Sequence, residues 1–161
     1  MDLGLEGDRA RAAAWMTAFL GEEARGALRL AEVPGHAFTD IPDKAVSIIG
    51  LGSVAELGER EGMALDPLRF RANILFSGGA PFAELGWVGQ EVLLGGARLR
   101  IFQRTQRCAA TEVNPETAER DAKPPKWLVR HCGHADMGVY GEVLEGGRVA
   151  VGDALEVLVP G

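Results

Sequence analysis

Cysteine is scarce in this chain of 161 residues, which contains only Cys108 and Cys132. Two cysteines cannot build the disulfide framework that holds small secreted domains together, so that class of protein is excluded. They also fall short of the set of thiolates that usually holds an iron–sulfur cluster, and we predict no such cluster.

Long apolar runs are absent as well. The longest candidate, residues 45–55, is interrupted by serine and glycine and is shorter than the ~18–20 residues that cross a bilayer. The first residues are acidic and lack the basic and apolar regions of a signal peptide. We therefore predict a cytoplasmic protein with no membrane partner.

A surplus of positive charge is missing, because 17 lysines and arginines stand against 23 aspartates and glutamates, for a formal net charge of −6. Such a surplus usually drives nonspecific binding to nucleic acid, so we expect no nucleic-acid partner. The sequence also lacks a Walker loop, a Rossmann fingerprint, G-x-S-x-G and H-E-x-x-H. These absences leave glycine-rich phosphate loops, serine hydrolysis and zinc proteolysis without support.

Glycine, in contrast, is abundant, and its 22 residues separate short apolar runs in a way that is typical of turns in a β-rich domain. We predict one α+β domain over residues 1–161 that is mainly β. Ser53 and Glu56 form a capping box that predicts the start of the second helix at Ser53. The pattern predicts helices over 8–20, 53–61 and 126–132, and strands over 28–33, 45–51, 69–76, 91–94, 97–102, 139–144, 148–151 and 154–159. Paired glycines at 95–96 and 146–147 predict two hairpins.

The predicted strand over 69–76 has a polar face. Its alternation places Arg69, Arg71 and Asn73 on the same side, where guanidinium and amide donors suit a phosphate or a carboxylate. From the residues alone, a solvated strand face with surface ion pairs is favoured over a binding site.

Cys108 has two arginines nearby, Arg104 and Arg107, both on its amino-terminal side. Nearby cations favour the thiolate, which is the form that attacks electrophiles and binds metals. A buried structural cysteine fits the local sequence about equally well, because free cysteines are among the most buried residues.

A zinc site is a weaker alternative. Cys108, His131, Cys132 and His134 offer thiols and imidazoles, which zinc accepts. Their spacing is poor, because neighbours on a helix point in different directions and no C-x-x-C pair exists. A helix cap or a hydrogen-bonded core histidine is favoured.

Five segments together resemble the MOSC domain, which is the C-terminal domain of molybdenum cofactor sulfurases and the core of amidoxime-reducing component enzymes. The Arg-Cys-x-x-Thr-x-Val-Asn-Pro-x-Thr pattern is the most specific part of this resemblance. The segments are FRANI at 70–74, WVG at 87–89, TQRCAATEVNPET at 105–117, GHADMGVY at 133–140 and VGD at 151–153.

The resemblance implies a MOSC-type β-barrel with a few short peripheral helices and a bound molybdenum cofactor, molybdopterin. Cys108 matches the cysteine that ligates molybdenum in the reductase branch and that is proposed to carry a persulfide in sulfurases. Cofactor contacts are implied at Arg71, Arg107 and Tyr140 and in the segment from Ser47 to Ser53. Asn73, on the same donor-rich face as Arg71, completes the candidate set.

The leading hypothesis is a molybdenum-dependent oxidoreductase that acts on N-hydroxylated or related small substrates, with Cys108 as metal ligand and electrons from a separate donor protein. A sulfur-carrier or cofactor-sulfuration module with a persulfide on Cys108 is the alternative, and a non-catalytic remnant is the third possibility. The Tyr-Pro-x-Lys-like motif of the amidoxime-reducing branch is missing. We therefore expect the chain to correspond to the C-terminal portion of a longer architecture.

Overall fold

The computed structural model describes residues 2–24, 26–34, 41 and 43–158, and its contacts group the chain into two units, Met1–Phe38 and Thr39–Gly161. The single domain assigned to residues 1–161 stays a prediction. Among the described residues, no helix is long and apolar enough to span a membrane.

The first unit is built around helix α1, Glu6–Leu20, which is followed by a 3₁₀ turn over Gly21–Glu23. The predicted helix over 8–20 is therefore confirmed. The predicted strand over 28–33 is wrong, because the described residues 26–34 pair with no strand. An open groove of about 850 Å³ between α1 and residues 27–30 is lined by none of the candidate site residues.

The second unit contains one six-stranded sheet with the strand order β2-β1-β5-β4-β3-β6, curled into a half-barrel. Strands β1 and β2 are parallel, and the other neighbouring strands are antiparallel. The predicted α+β, mainly β fold with short helices is confirmed. The strands are β1 Val46–Gly50, β2 Ile74–Phe76, β3 Glu91–Leu94, β4 Ala97–Gln106, β5 Asp136–Glu145 and β6 Leu155–Leu158.

Two short helices, α2 (Leu51–Arg60) and α3 (Pro124–Cys132), cover one face of this sheet. Successive strand residues point to opposite faces, so Ile49 packs with the helices while Ile48 belongs to the core cluster on the other face. Both side chains are fully buried. Ser47 therefore shares the helix-bearing face with Ile49.

Only the first of the two predicted hairpins forms. Strands β3 and β4 turn at Gly95 and Gly96 as expected, and β4 continues to Gln106. Residues 148–151 form no strand, so the second hairpin is wrong. The carbonyl of Arg148 instead accepts a hydrogen bond of 2.9 Å from the amide of Gly96. The chain therefore runs alongside the β3–β4 turn before it forms β6, and β6 pairs with β3.

The predicted capping box is also wrong, because α2 begins at Leu51 and Ser53 lies inside its first turn. A carboxylate from another part of the chain, Glu84, occupies this helix end. It accepts hydrogen bonds from the amide of Gly50 at 3.3 Å and from the hydroxyl of Ser53 at 2.8 Å. A tertiary contact thus supplies the acceptor that the local sequence assigned to Glu56.

The predicted strand over 69–76 is replaced by three different conformations. Pro67–Phe70 is a 3₁₀ turn, Arg71 is left-handed with φ of 50°, and β2 begins only at Ile74. Proline at the start of the turn, together with the carboxylate of Asp66 accepting from the amide of Leu68 at 2.8 Å, favours this start. The expected alternation of side chains therefore fails.

Gly147 packs so closely against the β3–β4 turn that a Cβ there would overlap the carbonyl oxygen of Gly96. We expect Gly147→Ala to lower the free energy of unfolding by about 1–3 kcal/mol, the usual cost of overpacking. Gly146→Ala is the matched control, because a Cβ there meets nothing within 4 Å. Urea unfolding of both variants is the measurement, and equal midpoints would contradict the close approach.

Candidate functional site

Cys108 is exposed and lies just after strand β4, at the start of a 3₁₀ turn over Ala109–Glu112. The amide and the hydroxyl of Thr111 both donate to the Cys108 carbonyl, at 3.1 and 2.9 Å. This backbone is therefore anchored while the thiol faces solvent. The interpretation of Cys108 as a buried structural cysteine is wrong.

Arg107, the preceding residue, points inward and is only 8% exposed. Its Nε donates to the carbonyl of Met137 at 2.7 Å, and its Nη1 donates to the carbonyl of Phe70 at 2.8 Å. The guanidinium also lies 5.4 Å from the centre of the Phe70 ring, within the range of a cation–π contact. The side chain thus ties the end of β4 to β5 and to the 3₁₀ turn over Pro67–Phe70.

Burial lowers the pKa of Arg107 to about 10, and the acidic groups of Tyr140, Cys108 and Glu84 oppose that decrease. This pKa remains well above neutrality, so the guanidinium is protonated at pH 7. Its third nitrogen, Nη2, is buried without a hydrogen-bond partner among the described residues. The site therefore contains a fixed cation behind the exposed thiol.

Arg71 is the exposed cation of the site. It follows the 3₁₀ turn over Pro67–Phe70, and its amide donates to the carbonyl of Leu68 at 3.1 Å. Within the described part of the chain, its guanidinium makes no hydrogen bond or ion pair. A left-handed arginine is strained, and such strain is often kept where a side chain must be aimed at a ligand.

Asn73 and Ser47 are joined by several hydrogen bonds. The amide oxygen of Asn73 accepts from the backbone amide and the hydroxyl of Ser47, both at 2.9 Å, and the Asn73 backbone amide donates to that hydroxyl at 3.0 Å. Since the oxygen faces the donors of Ser47, the Nδ2 group is left to donate elsewhere. Asn73 itself is exposed.

Tyr140 is placed beside this pair by the sheet. In the register of β1 and β5 it lies opposite Ser47, and opposed residues of an antiparallel pair share a face. Its ring stacks on Phe102 with the ring centres 6.4 Å apart. The fold thus places Ser47 and Tyr140 on the neighbouring strands β1 and β5 and Asn73 just before β2, while two turns present Arg71 and Cys108.

Ser53 makes no hydrogen bond to the other candidate residues in the described part of the chain. It is 1% exposed, and its hydroxyl contacts the Glu84 carboxylate and accepts from the amide of Phe82 at 2.7 Å. Its hydrogen-bonding capacity is taken by these neighbours. The assignment of Ser53 as a cofactor contact stays a prediction.

The alternative zinc ligands are engaged separately. His131 Nε2 is 2.6 Å from a carboxylate oxygen of Glu61, and His134 Nδ1 accepts from the amide of Asp136 at 3.1 Å. No group of three or more histidine, cysteine, aspartate or glutamate side chains that could hold a metal ion occurs in the described ranges.

Two buried charged residues differ from what the sequence predicted. Arg69, expected beside Arg71 on an exposed face, is 5% exposed and forms an ion pair of 2.6 Å with Asp121. Glu84, which no sequence motif marks as a site residue, is a buried carboxylate. Neither role has a local signal, since the partners Asp121 and Ser53 are distant in the chain.

The family model of the MOSC domain matches residues 34–156 of this chain. Ser47 and Tyr140, the first and last candidate site residues, both fall within that range.

Three curated relatives are similar over parts of their length. Human mitochondrial amidoxime-reducing component 1 is 31% identical over 123 residues, which cover 69% of this chain and 36% of that protein. Mitochondrial amidoxime reducing component 2 of Bos taurus is 27% identical over 174 residues, covering 92% and 51%. Molybdenum cofactor sulfurase of Danio rerio is 33% identical over 73 residues, covering 45% and 8%. The chain thus spans about half or less of each relative.

One solved structure shares the fold. The YiiM protein of Geobacillus stearothermophilus superposes with a TM-score of 0.55 at 20% identity, covering 71% of this chain and 54% of that chain.

Gly138 makes room for the buried guanidinium of Arg107. Its φ is +79°, and a Cβ there would lie 2.6 Å from the carbonyl oxygen of Ile48 and 2.9 Å from Nη2 of Arg107. We expect Gly138→Ala to cost at least about 1 kcal/mol more than Gly133→Ala, because overpacking adds to the backbone strain. Gly133 is the matched control, with φ of +78° and open space around it. Denaturant unfolding measures both, and equal losses would contradict the steric role of Gly138.

Proposed function

Because this chain belongs to the MOSC domain family, we propose that it binds the molybdenum cofactor and reduces N-hydroxylated or related small molecules. The observation that carries the proposal is the exposed Cys108, which directly follows Arg107 in the chain, with the buried and protonated guanidinium of Arg107 fixed behind it. The chain spans only part of its curated relatives. Its activity, its electron-donor protein and a cytoplasmic location therefore all belong to the proposal.

The side chains that are present fit such a cofactor. A thiolate is a soft ligand that suits a redox-active metal, and the Cys108 thiol is exposed. The guanidinium of Arg71 offers a fork of donors that suits an anionic phosphate. The orphaned Nη2 of Arg107 adds a positive charge that no carboxylate contacts directly.

We assign a role to each residue on that basis. Cys108 would bind molybdenum through Sγ, and Arg107 would hold a fixed positive charge in the same site. Arg71 would hold the pterin phosphate, and Nδ2 of Asn73 would donate a further hydrogen bond. Tyr140 would lie beside the cofactor, on the same face of the sheet as Ser47, the residue that orients Asn73.

When bound, the molybdenum cofactor supplies two-electron chemistry that takes oxygen from an N-hydroxylated substrate. The contribution of the chain is to hold and orient the cofactor and to keep a positive field around it. Arg107 performs the second task at neutral pH, because its pKa of about 10 keeps it protonated. A separate protein would deliver the electrons.

A second candidate function is favoured by the exposure of the same thiol. An accessible cysteine flanked by a cation is also suited to carrying sulfur as a persulfide. The similarity to molybdenum cofactor sulfurases agrees with this alternative. In that case Cys108 would transfer sulfur to the cofactor instead of remaining bound to its metal.

Cys108→Ser tests both functions, with Cys132→Ser as the matched control because Cys132 ends α3 and packs against the core cluster. After expression in a host that makes the cofactor, we expect Cys108→Ser to lose molybdenum and reductase activity while its unfolding midpoint is unchanged. Metal analysis, pterin fluorescence and reduction of an amidoxime are the measurements.

The outcome separates the candidates. Wild-type protein that retains neither molybdenum nor pterin contradicts the reductase proposal. A reversible gain of one sulfur atom at Cys108, seen by intact mass spectrometry and removed by thiols, supports the sulfur carrier instead.

Arg71→Lys tests the phosphate contact, because lysine keeps the charge and loses the fork. We expect cofactor retention to weaken at least about tenfold, equivalent to ~1.4 kcal/mol. Arg148→Lys is the control, since Arg148 is exposed beside the β3–β4 turn and its side chain has no partner in the described ranges. Occupancy after gel filtration and dialysis is compared. Equal occupancy in both variants would remove Arg71 from the site.

A further inference from the structure

Arg69 is buried where the 3₁₀ turns over Pro67–Phe70 and Ala109–Glu112 pack against each other. It belongs to the 3₁₀ turn over Pro67–Phe70, and its side chain is only 3% exposed. Its Nη1 donates to the carbonyl of Glu112 at 3.1 Å, and its Nη2 pairs with the carboxylate of Asp121 at 2.6 Å. A buried guanidinium with two fixed acceptors is held in one geometry.

These acceptors connect Arg69 to the cysteine-bearing turn. Glu112 is the last residue of the turn that Cys108 starts, while Arg71 follows Arg69 by two residues. The two turns pack against each other. One side chain therefore spans from the segment that presents Arg71 to the segment that presents Cys108.

Asp121, the carboxylate partner of Arg69, is itself held in place by hydrogen bonds. Nδ2 of Asn114 donates to Asp121 at 2.7 Å, and the same asparagine accepts from the amides of Glu116 and Thr117. The hydrogen bond from Asn114, and to a lesser degree Arg69, lowers the pKa of Asp121, so the carboxylate stays ionised at neutral pH. Arg69 thus meets a partner that is already in place.

Arg107 holds the same 3₁₀ turn through a second contact. It donates to the carbonyl of Phe70, while Arg69 reaches out to Glu112 and Asp121. Two guanidinium groups therefore clamp the residues directly before Arg71. A strained left-handed residue persists only where its surroundings determine its conformation, and this clamp meets that condition.

We propose that Arg69 is a positioning residue of the cofactor site, which sets the placement of Arg71 relative to Cys108 without touching the cofactor. The inference rests on the proposed function, because it assigns Arg71 and Cys108 to two parts of one ligand. A ligand held at two points gains from a fixed spacing between them, since less ordering is needed when it binds.

A double-mutant cycle between Arg69 and Arg71 tests the proposal. Arg69→Lys should weaken retention of the molybdenum cofactor at least about fivefold. In the Arg69→Lys background, Arg71→Lys should reduce cofactor retention by less than about threefold. The reason is that the guanidinium of Arg71 is then already displaced from the position where it contacts the cofactor. A purely structural Arg69 predicts that the two effects multiply, and that result overturns the proposal.

A loss of folding stability can also weaken cofactor retention, so the experiment includes a variant that is destabilised away from the site. Gly147→Ala serves as the destabilised control, since the overlap it creates lies at the β3–β4 turn. It should leave cofactor retention within about twofold of wild type at temperatures well below unfolding. Asp121→Asn is a milder second variant that keeps Arg69, and it should weaken retention in the same direction as Arg69→Lys. Normal retention in Asp121→Asn and Arg69→Lys together would contradict the proposal.

Amide hydrogen exchange on the cofactor-free protein gives a readout that does not require bound cofactor. Arg69→Lys should speed exchange in the turns over 67–71 and 108–112, whereas Gly147→Ala should leave those amides unchanged. Unchanged exchange in both turns overturns the positioning role. Wild-type protein that binds no cofactor contradicts the proposed function, and exchange still decides whether Arg69 couples the turns.

Discussion

The buried guanidinium of Arg107 is the interaction on which the arrangement of the site depends. It binds the carbonyls of Phe70 and Met137, so it joins the end of β4 to β5 and to the turn before Arg71. Burying a cation is unfavourable unless its donors are satisfied, and backbone carbonyls satisfy two of them without cancelling the charge. A positive charge is therefore left at the site for an anionic ligand. The glycine at 138 follows from the same constraint, because a side chain there would displace the guanidinium.

A rigid sheet with reactive groups on its turns explains how an exposed site can be ordered. Ser47 and Tyr140 are fixed by strand register, and Asn73 is fixed by its hydrogen bonds to Ser47. Arg71 and Cys108 lie on turns, which are the usual carriers of binding groups on a stable scaffold. Those turns are held from the inside by guanidinium groups, and Phe70 of the first turn also packs in the core cluster. The exposed ends can then face a ligand while their backbones are held in place.

Glu84 shows how one distant carboxylate changes local structure. It accepts from Gly50 and Ser53, so α2 starts directly after β1 and Ser53 turns inward. The strand that carries Ser47 and the helix behind it become one continuous segment. This segment places Ile49 and the helix residues in the same core cluster.

Features that depend on near neighbours could be predicted from the sequence. The periodicity and boundary residues of α1 and α3, the glycine turn between β3 and β4, and the chemistry of a cysteine next to arginines are all local. Only the tertiary structure decided the rest, because it depends on partners that are distant along the chain. Arg69 is buried since Asp121 and Glu112 accept its hydrogen bonds, and residues 148–151 form no strand since Gly96 engages the backbone of Arg148. A sequence pattern reports periodicity and capping, but a hydrogen bond between distant residues exists only once the chain has folded.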